Sequence, residues 1–199
     1  MPEALQQLIR VLARLPGVGR RSAERMAYRL VLRNQELLGE LQRALERAGR
    51  ELTLCSRCGN LTDVGEDPCR ICTDPRRDAA FLCVVAGAPD IQILEQARAF
   101  QGHYFCLGGK VSPQQRETVT RDRVARLTER IRADGVREVL IALDSDVESD
   151  ATAAMLVEAL APLGIQISRL AFGIPAGSGL AYSDPETLSR ALNGRQPLG

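Results

Sequence analysis

Four of the six cysteines fall in two close pairs, Cys55-x2-Cys58 and Cys69-x2-Cys72. Each pair lets two thiolates converge on one side of a tetrahedral metal, and four sulfur ligands leave no open position for water. Zinc bound this way is structural rather than catalytic, one ion per chain. It would supply folding energy to a segment with few apolar residues of its own. Iron or a redox dithiol pair would use the same residues, but nothing beside them favours either. Cys83 and Cys106 sit inside apolar runs and read as core thiols, and His103 has no ligand-spaced partner and reads as structural.

A second set of candidates is acidic. "IALDSDVESDATA" places Asp144, Asp146, Glu148 and Asp150 directly after an apolar run that reads as a buried strand. Open α/β sheets bind ligands at that edge. Alternating carboxylates offer the hard oxygen donors that suit Mg²⁺, here as a weak site; a partner contact or a solvated acidic loop would use the same residues. A calcium loop matches poorly, because Ser149 stands where a glycine is needed and Met155 where a bidentate Glu belongs. "LGGKV" lacks the spacing and the hydroxyl of a phosphate loop. No Ser or Cys is paired with a plausible base for nucleophilic catalysis.

The third candidate is the stretch "LPGVGRRSAERMA". Gly17 and Gly19 allow a tight turn at positive φ and leave the backbone bare of side chains. The amides that open the next helix then face whatever docks there, and a helix N-terminus favours an anion. Arg20, Arg21 and Arg25 stand in or beside that first turn, where cations oppose the helix dipole. An external phosphate accounts for them better than the fold does; the plainer alternative is an ordinary turn with solvated arginines. The segment resembles the helix-hairpin-helix motif, which holds nucleic-acid backbones without reading sequence.

The elements that must position these residues show as periodicity. Leu5, Leu8, Ile9 and Leu12 recur at helical spacing up to Pro16-Gly17. A second helix is expected from Ser22 as N-cap, presenting Met26, Ala27, Leu30 and Val31, and a third through Leu37, Leu38, Leu41 and Leu45 with Gly49 as its stop. From Phe81 onward strands and helices alternate: "FLCVV", "DIQILEQARAF", "HYFCL", the charged helix ending at Gly135, "EVLIAL", a helix from Ala151 to Leu160, "IQISRLA" and a short helix after Pro185. Such alternation argues a mainly parallel sheet covered by helices.

The net charge of +1 says little, but residues 1–54 carry ten Arg against six acids, a net of +4. The positive end is the first place to look for a phosphate-binding surface. No stretch approaches the ~20 apolar residues of a membrane helix, and the first residues show no signal-peptide core. Paired cysteines in a reducing compartment read as metal ligands rather than disulfides, so a cytoplasmic location is expected.

A D-x-D after the central strand of a β-α domain looks like the Toprim module, whose enzymes also need a Glu at the end of the module's first strand. Here Ala86 and Gly87 occupy that end. Hairpin, cysteine pairs and Toprim-like sheet in this order resemble the bacterial RecR family along essentially the whole chain, most specifically in "CSRCGNL…DPCRICTDPRRD", with support from "LGGKVSP" and "SRLAFGIP". There are departures. Ala86-Gly87 replaces the usual Glu-Glu, Asp144-Ser145-Asp146 an Asn-Pro-type tripeptide, "QQRETV" a Gly-Ile-Gly-Pro loop, and Ala181 the Glu before Tyr182.

The resemblance implies a multi-domain chain, α+β to α/β in class. Its expected parts are a helix-hairpin-helix domain over 1–54, a four-cysteine zinc finger over 55–78, a Toprim domain with a mainly parallel sheet over 79–175 and a C-terminal segment over 176–199. It further implies a non-catalytic, nucleoid-associated mediator of recombinational DNA repair that assembles as a dimer or tetrameric ring. Such a mediator works with a RecO partner, and in many bacteria RecF, to load recombinase on gapped DNA. Gly17, Gly19, Arg20, Arg21 and Arg25 would face DNA, the four cysteines would hold zinc, and the Toprim face would receive the protein partner. The competing reading is a Mg²⁺-dependent nuclease or topoisomerase-like enzyme using Asp144 and Asp146.

Overall fold

A computed structural model of the chain describes residues 1–111, 119, 121–171, 173, 174, 177 and 179–194. Most of the "QQRETV" stretch and residues 195–199 lie outside the described residues. The chain divides into two compact units, Met1–Leu52 and Thr53–Gly199.

The first unit is helical: α1 (Glu3–Leu12), α2 (Arg20–Arg33) and α3 (Gln35–Glu51). Ile9, Ala23 and Ala27 form its small core, with Leu5, Leu8, Leu12 and Val18 packed on it. Three sequence expectations need correcting. Helix α2 starts at Arg20 with Gly19 as N-cap rather than at Ser22; glycine is itself a tolerated N-cap, and it leaves the first-turn amides without a side-chain partner. Ala23, Ala27 and Leu30 form its buried face, while Met26 is exposed. Helix α3 runs through Gly49; a glycine inside a helix costs only about 1 kcal/mol. None of the apolar residues of α3 is buried, with Leu37, Leu41 and Leu45 exposed.

A two-stranded ribbon follows, β1 (Leu52–Leu54), which begins on the last residue of the first unit, and β2 (Leu61–Asp63), and then the single-turn helix α4 (Arg70–Thr73). The alternating region follows as β3 (Asp78–Val85), α5 (Ala88–Ala97), β4 (Gly102–Cys106), α6 (Arg121–Asp134), β5 (Glu138–Ala142), α7 (Val147–Leu160), β6 (Gln166–Arg169) and α8 (Pro185–Asn193). The sheet has the order β4-β3-β5-β6 with every pair parallel. Its central strands are buried on both faces, as near-continuous apolar runs require. Leu82, Val84, Phe105, Leu127, Val139 and Leu156 build one side of the core; Cys83, Val85, Ile91 and Tyr104 build the other.

One boundary matters for the site. Helix α7 begins at Val147, four residues before the expected start, with Asp146 as its N-cap accepting from the Ser149 amide at 2.7 Å. An Asp whose oxygen reaches an otherwise unpaired first-turn amide is a strong helix start. Glu148 and Asp150 therefore lie on a helix, not in an extended acidic loop.

Candidate zinc centre and nucleic-acid interface

The ribbon and α4 carry the cysteines. Cys55 follows β1, and its amide donates to the Asn60 carbonyl at 2.7 Å, turning the chain so that Cys58 returns beside it. Gly59 adopts φ +79° in this turn, and a Cβ there would run into the Arg123 guanidinium and Cys106. Cys69 and Cys72 bracket the start of α4. All four cysteines are buried and their sulfurs lie within 4.8 Å of one another. Cys55 Sγ and Cys72 Sγ are 4.0 Å apart, Cys58 Sγ and Cys69 Sγ 3.6 Å. A tetrahedron with zinc–sulfur bonds of ~2.3 Å has edges of ~3.8 Å, so the donor set fits zinc in both type and size. Among the described residues it is the one group of three or more His, Cys, Asp or Glu side chains whose ligand atoms converge.

The zinc module is fastened to the sheet by a set of arginines. The Cys106 amide at the end of β4 donates to the Cys58 carbonyl at 2.8 Å. From α6, Arg123 reaches the Cys106 and Cys58 carbonyls at 2.7 and 3.4 Å, Arg126 the Ser56 carbonyl at 3.2 Å, and Arg130 the Arg57 and Tyr104 carbonyls at 2.9 and 2.8 Å. Arg57, inside the first cysteine pair, donates to the Cys72 carbonyl at 3.2 Å and to Asp134 at 2.8 Å. Arg77, from the "DPRRD" string, donates to the Gly102 carbonyl and pairs with Glu95. His103 is buried and neither ring nitrogen has a hydrogen-bond partner; burial first, then the Arg130 and Arg57 charges, hold its pKa below the ordinary value. Burial pushes the Cys83 and Cys106 thiols up to about 12, which keeps them unreactive.

In the helical unit the LPGVG turn is tight, but only Gly17 uses positive φ, at +75°; Gly19 sits at φ −72° in extended backbone, which corrects the expectation for that residue. Nothing lies within 4 Å of where a Cβ on either glycine would stand. Of the three expected arginines, Arg20 is paired with Glu24 at 3.3 Å, whereas Arg21 and Arg25 are exposed on α2. The expectation stopped at Arg25, yet the row continues to Arg29 and Arg33, also exposed. The signal was present as four-residue spacing, which stacks side chains on one flank of a helix at ~6 Å intervals. Tyr28 and Leu32 lie exposed along this stretch, and a shallow depression lined by Arg25, Tyr28, Arg29, Leu32 and Arg33 marks it.

The acidic run does not form one site. Asp144 and Asp146 converge on Lys110, whose Nζ donates to Asp144 Oδ2 at 2.6 Å and to Asp146 Oδ2 at 2.7 Å. This pairing, with the Ser149 amide, holds the Asp146 carboxyl down at about 2. Asp150 turns away to Arg169 and Arg190, each at 3.0 Å, beside a cleft of about 920 Å³ bounded by α7, β6 and α8. The end of β3, where a Toprim enzyme carries its Glu, holds Ala86, whose carbonyl accepts from the Gly108 and Gly109 amides at 2.9 and 3.0 Å. Asp90, not singled out from the sequence, lines a small cleft with Ala86 and Asp144, but its carboxylate accepts from the Gly87 amide at 2.8 Å. With the Lys110 ammonium set between the two aspartates and Ala86 where a Toprim enzyme carries its Glu, the site as it stands is not arranged for a divalent ion.

Comparison with known proteins agrees along the chain. Family models match in succession: RecR, helix-hairpin-helix, over residues 5–49; the RecR four-cysteine zinc finger domain, over 52–74; Toprim domain, over 80–171; and RecR, C-terminal, over 173–196. The recombination protein RecR of Anaeromyxobacter sp. (strain Fw109-5) is 39% identical over 196 residues, 98% of each chain. That of Moorella thermoacetica is 42% identical over 197 residues, 99% of this chain and 98% of the relative, and that of Desulforudis audaxviator 42% over 192 residues, 96% of each. A zinc-bound AdcAII variant of Streptococcus pneumoniae, with TM-score 0.28 and 13% identity, covers 95% of this chain and 54% of its own, a likeness too weak to bear on fold or function. Relatives at this identity over nearly the whole length show that the chain belongs to the RecR family of recombination proteins, with a four-cysteine finger for one structural zinc and a role in recombination repair.

Proposed function

We propose that this chain is a non-catalytic mediator that holds DNA by its backbone while a RecO-type protein, and a RecF-type protein where one exists, loads recombinase on gapped DNA. The observation that carries the reading is the exposed arginine row of α2, Arg21, Arg25, Arg29 and Arg33, running down from an end of the helix that no side chain caps. Guanidinium groups and first-turn amides both suit phosphate oxygens and read no bases. Gly17 makes the turn and Gly19 keeps the approach open; Arg20 can exchange its exposed Glu24 partner for phosphate at little cost. The working division of labour is 1–54 for DNA, 55–78 for zinc, 79–175 for the protein partner and 176–199 as a C-terminal segment, in a cytoplasmic, nucleoid-associated protein that self-assembles.

Equilibrium binding to oligonucleotides of unrelated sequence tests this. The Arg21→Ala/Arg25→Ala/Arg29→Ala variant should bind all of them more weakly by a similar factor, at least tenfold. Unchanged affinity, or a loss confined to one sequence, would contradict it. The alternative, a Mg²⁺-dependent Toprim enzyme, has the Asp144/Asp146 pair in its favour. It predicts plasmid nicking or relaxation that disappears in Asp144→Asn/Asp146→Asn; Lys110 between the carboxylates and Ala86 at the end of β3 speak against it.

A further inference from the structure

Lysine occurs once in this chain, at position 110, against 25 arginines. Its Nζ stands between Asp144 and Asp146, the two carboxylates at the carboxyl edge of the parallel sheet. The cation is the least exposed member of the trio, with 17% of its side chain accessible against 75% for Asp144 and 49% for Asp146. A swinging surface lysine would show the reverse.

The loop that carries Lys110 is stitched down on both sides. The Leu107 amide donates to the Val85 carbonyl at 2.9 Å, and the Gly108 and Gly109 amides hold the Ala86 carbonyl. On the far side the Val111 amide donates to the buried Thr152 hydroxyl on α7 at 2.8 Å, and that hydroxyl donates onward to the Glu148 carbonyl at 2.6 Å. The residue type is selective too. A compact ammonium on a flexible stem can donate to two separate carboxylates, whereas a planar guanidinium prefers both oxygens of one. Asp146 also caps α7 with its other oxygen, so the ion pair fixes a helix start as well as a charge.

We infer that Lys110 is the resident cation of this sheet edge: its ammonium takes the place between Asp144 and Asp146 that a divalent ion would need, so the two carboxylates are held together and the face keeps its shape without metal. A D-x-D without its Toprim Glu would leave two negative charges facing each other. Mg²⁺ demands near-octahedral oxygen coordination and sheds water reluctantly, and an anchored ammonium offsets one of the two charges and bridges both carboxylates without either requirement. The inference stands whether or not α2 binds DNA.

The sole side-chain amine makes the test clean. In the zinc-loaded full chain, an amine-reactive acylating reagent can modify only Lys110 and the amino terminus, and mass spectrometry reads each rate. Lys110 should react about tenfold or more slowly than in the Asp144→Asn/Asp146→Asn variant, where no carboxylate holds the ammonium protonated. Millimolar Mn²⁺ should leave the wild-type rate unchanged. By electron paramagnetic resonance the wild type should hold no Mn²⁺ beyond background, Lys110→Met should gain a Mn²⁺ site, and Lys110→Met/Asp144→Asn should lose it again. A saturable acceleration of Lys110 labelling by Mn²⁺ would mean that metal displaces the ammonium and would overturn the inference. So would a Lys110→Met protein, folded by its melting curve, that binds no more Mn²⁺ than wild type. Should that variant fail to fold, the wild-type labelling decides alone.

Discussion

Asp134 shows how much one carboxylate carries in this molecule. It lies at the end of α6, with only 12% of its side chain exposed, and takes charged hydrogen bonds from Arg57 in the zinc module and Arg130 in its own helix. Burial pushes its carboxyl up, but the hydrogen bonds from Arg57 and Arg130 outweigh that, and its pKa falls below the ordinary value. Removing one partner of a buried pair leaves the other charge uncompensated, at a cost of roughly 3–5 kcal/mol. Asp134→Ala should therefore lower the stability of the zinc-loaded protein by about 3 kcal/mol, read as a shift in the urea midpoint. Because the folded pKa is depressed, this contribution is fully present above the unfolded value of about 3.9 and is lost as pH falls through the lower folded one. The gap between wild type and Asp134→Asn should stay constant from neutral pH down to about pH 5 and narrow only below about pH 4. A gap that closes nearer neutrality would assign the effect to another group. None of this could be read from the sequence, since Arg57 and Asp134 are 77 residues apart and only the folded chain joins them.

At the scale of elements, the zinc module and α6 form one mechanical piece. Cysteine spacing announced the ligands, because two thiolates three residues apart can meet only at a common centre; the mounting was invisible, because backbone carbonyls have no sequence signature. The arginines that use those carbonyls look like ordinary solvent-facing charges on an amphipathic helix. The acidic run failed for a related reason. "DSDVESD" reads as one acidic loop after a strand, but Asp146 caps a helix by accepting from the Ser149 amide, and Asp150 turns away from the Asp144/Asp146 pair. Metal removal tests the mechanical claim. Chelation of zinc, or Cys69→Ser, should abolish hydrogen-exchange protection of the Cys106 amide, which donates to the Cys58 carbonyl, and should loosen α6. The β3 and β5 amides should stay protected, because their ladder does not pass through the module. Unchanged protection at Cys106 after metal loss would separate zinc from the sheet.

For the whole molecule the unspent feature is α3. Its leucines form a continuous apolar stripe with no buried member, and a stripe of that kind is an association surface in waiting. If the proposed self-assembly uses this stripe, Leu41→Glu/Leu45→Glu should lower the molar mass read by light scattering while leaving the melting temperature of the zinc-bearing unit unchanged. An unaltered mass would move self-association elsewhere. Such an assembly would multiply the arginine rows presented to one DNA molecule, and multivalent contact raises affinity without any new kind of interaction. The fold class, the parallel sheet and the cysteine centre were all legible as periodicity and spacing. The length of the arginine row was not, because each of its members alone is an ordinary surface charge.

The claim at the centre is that α2 meets phosphate along its length, and the salt dependence of DNA binding measures it most directly. Each neutralised phosphate adds about −0.7 to the slope of log K against log salt on a single strand and about −0.9 on a duplex. Arg29→Ala/Arg33→Ala should make that slope shallower by about 1.4 and 1.8 respectively, for every sequence tried. A variant that binds more weakly with the slope unmoved, or binds as the wild type does, would contradict it.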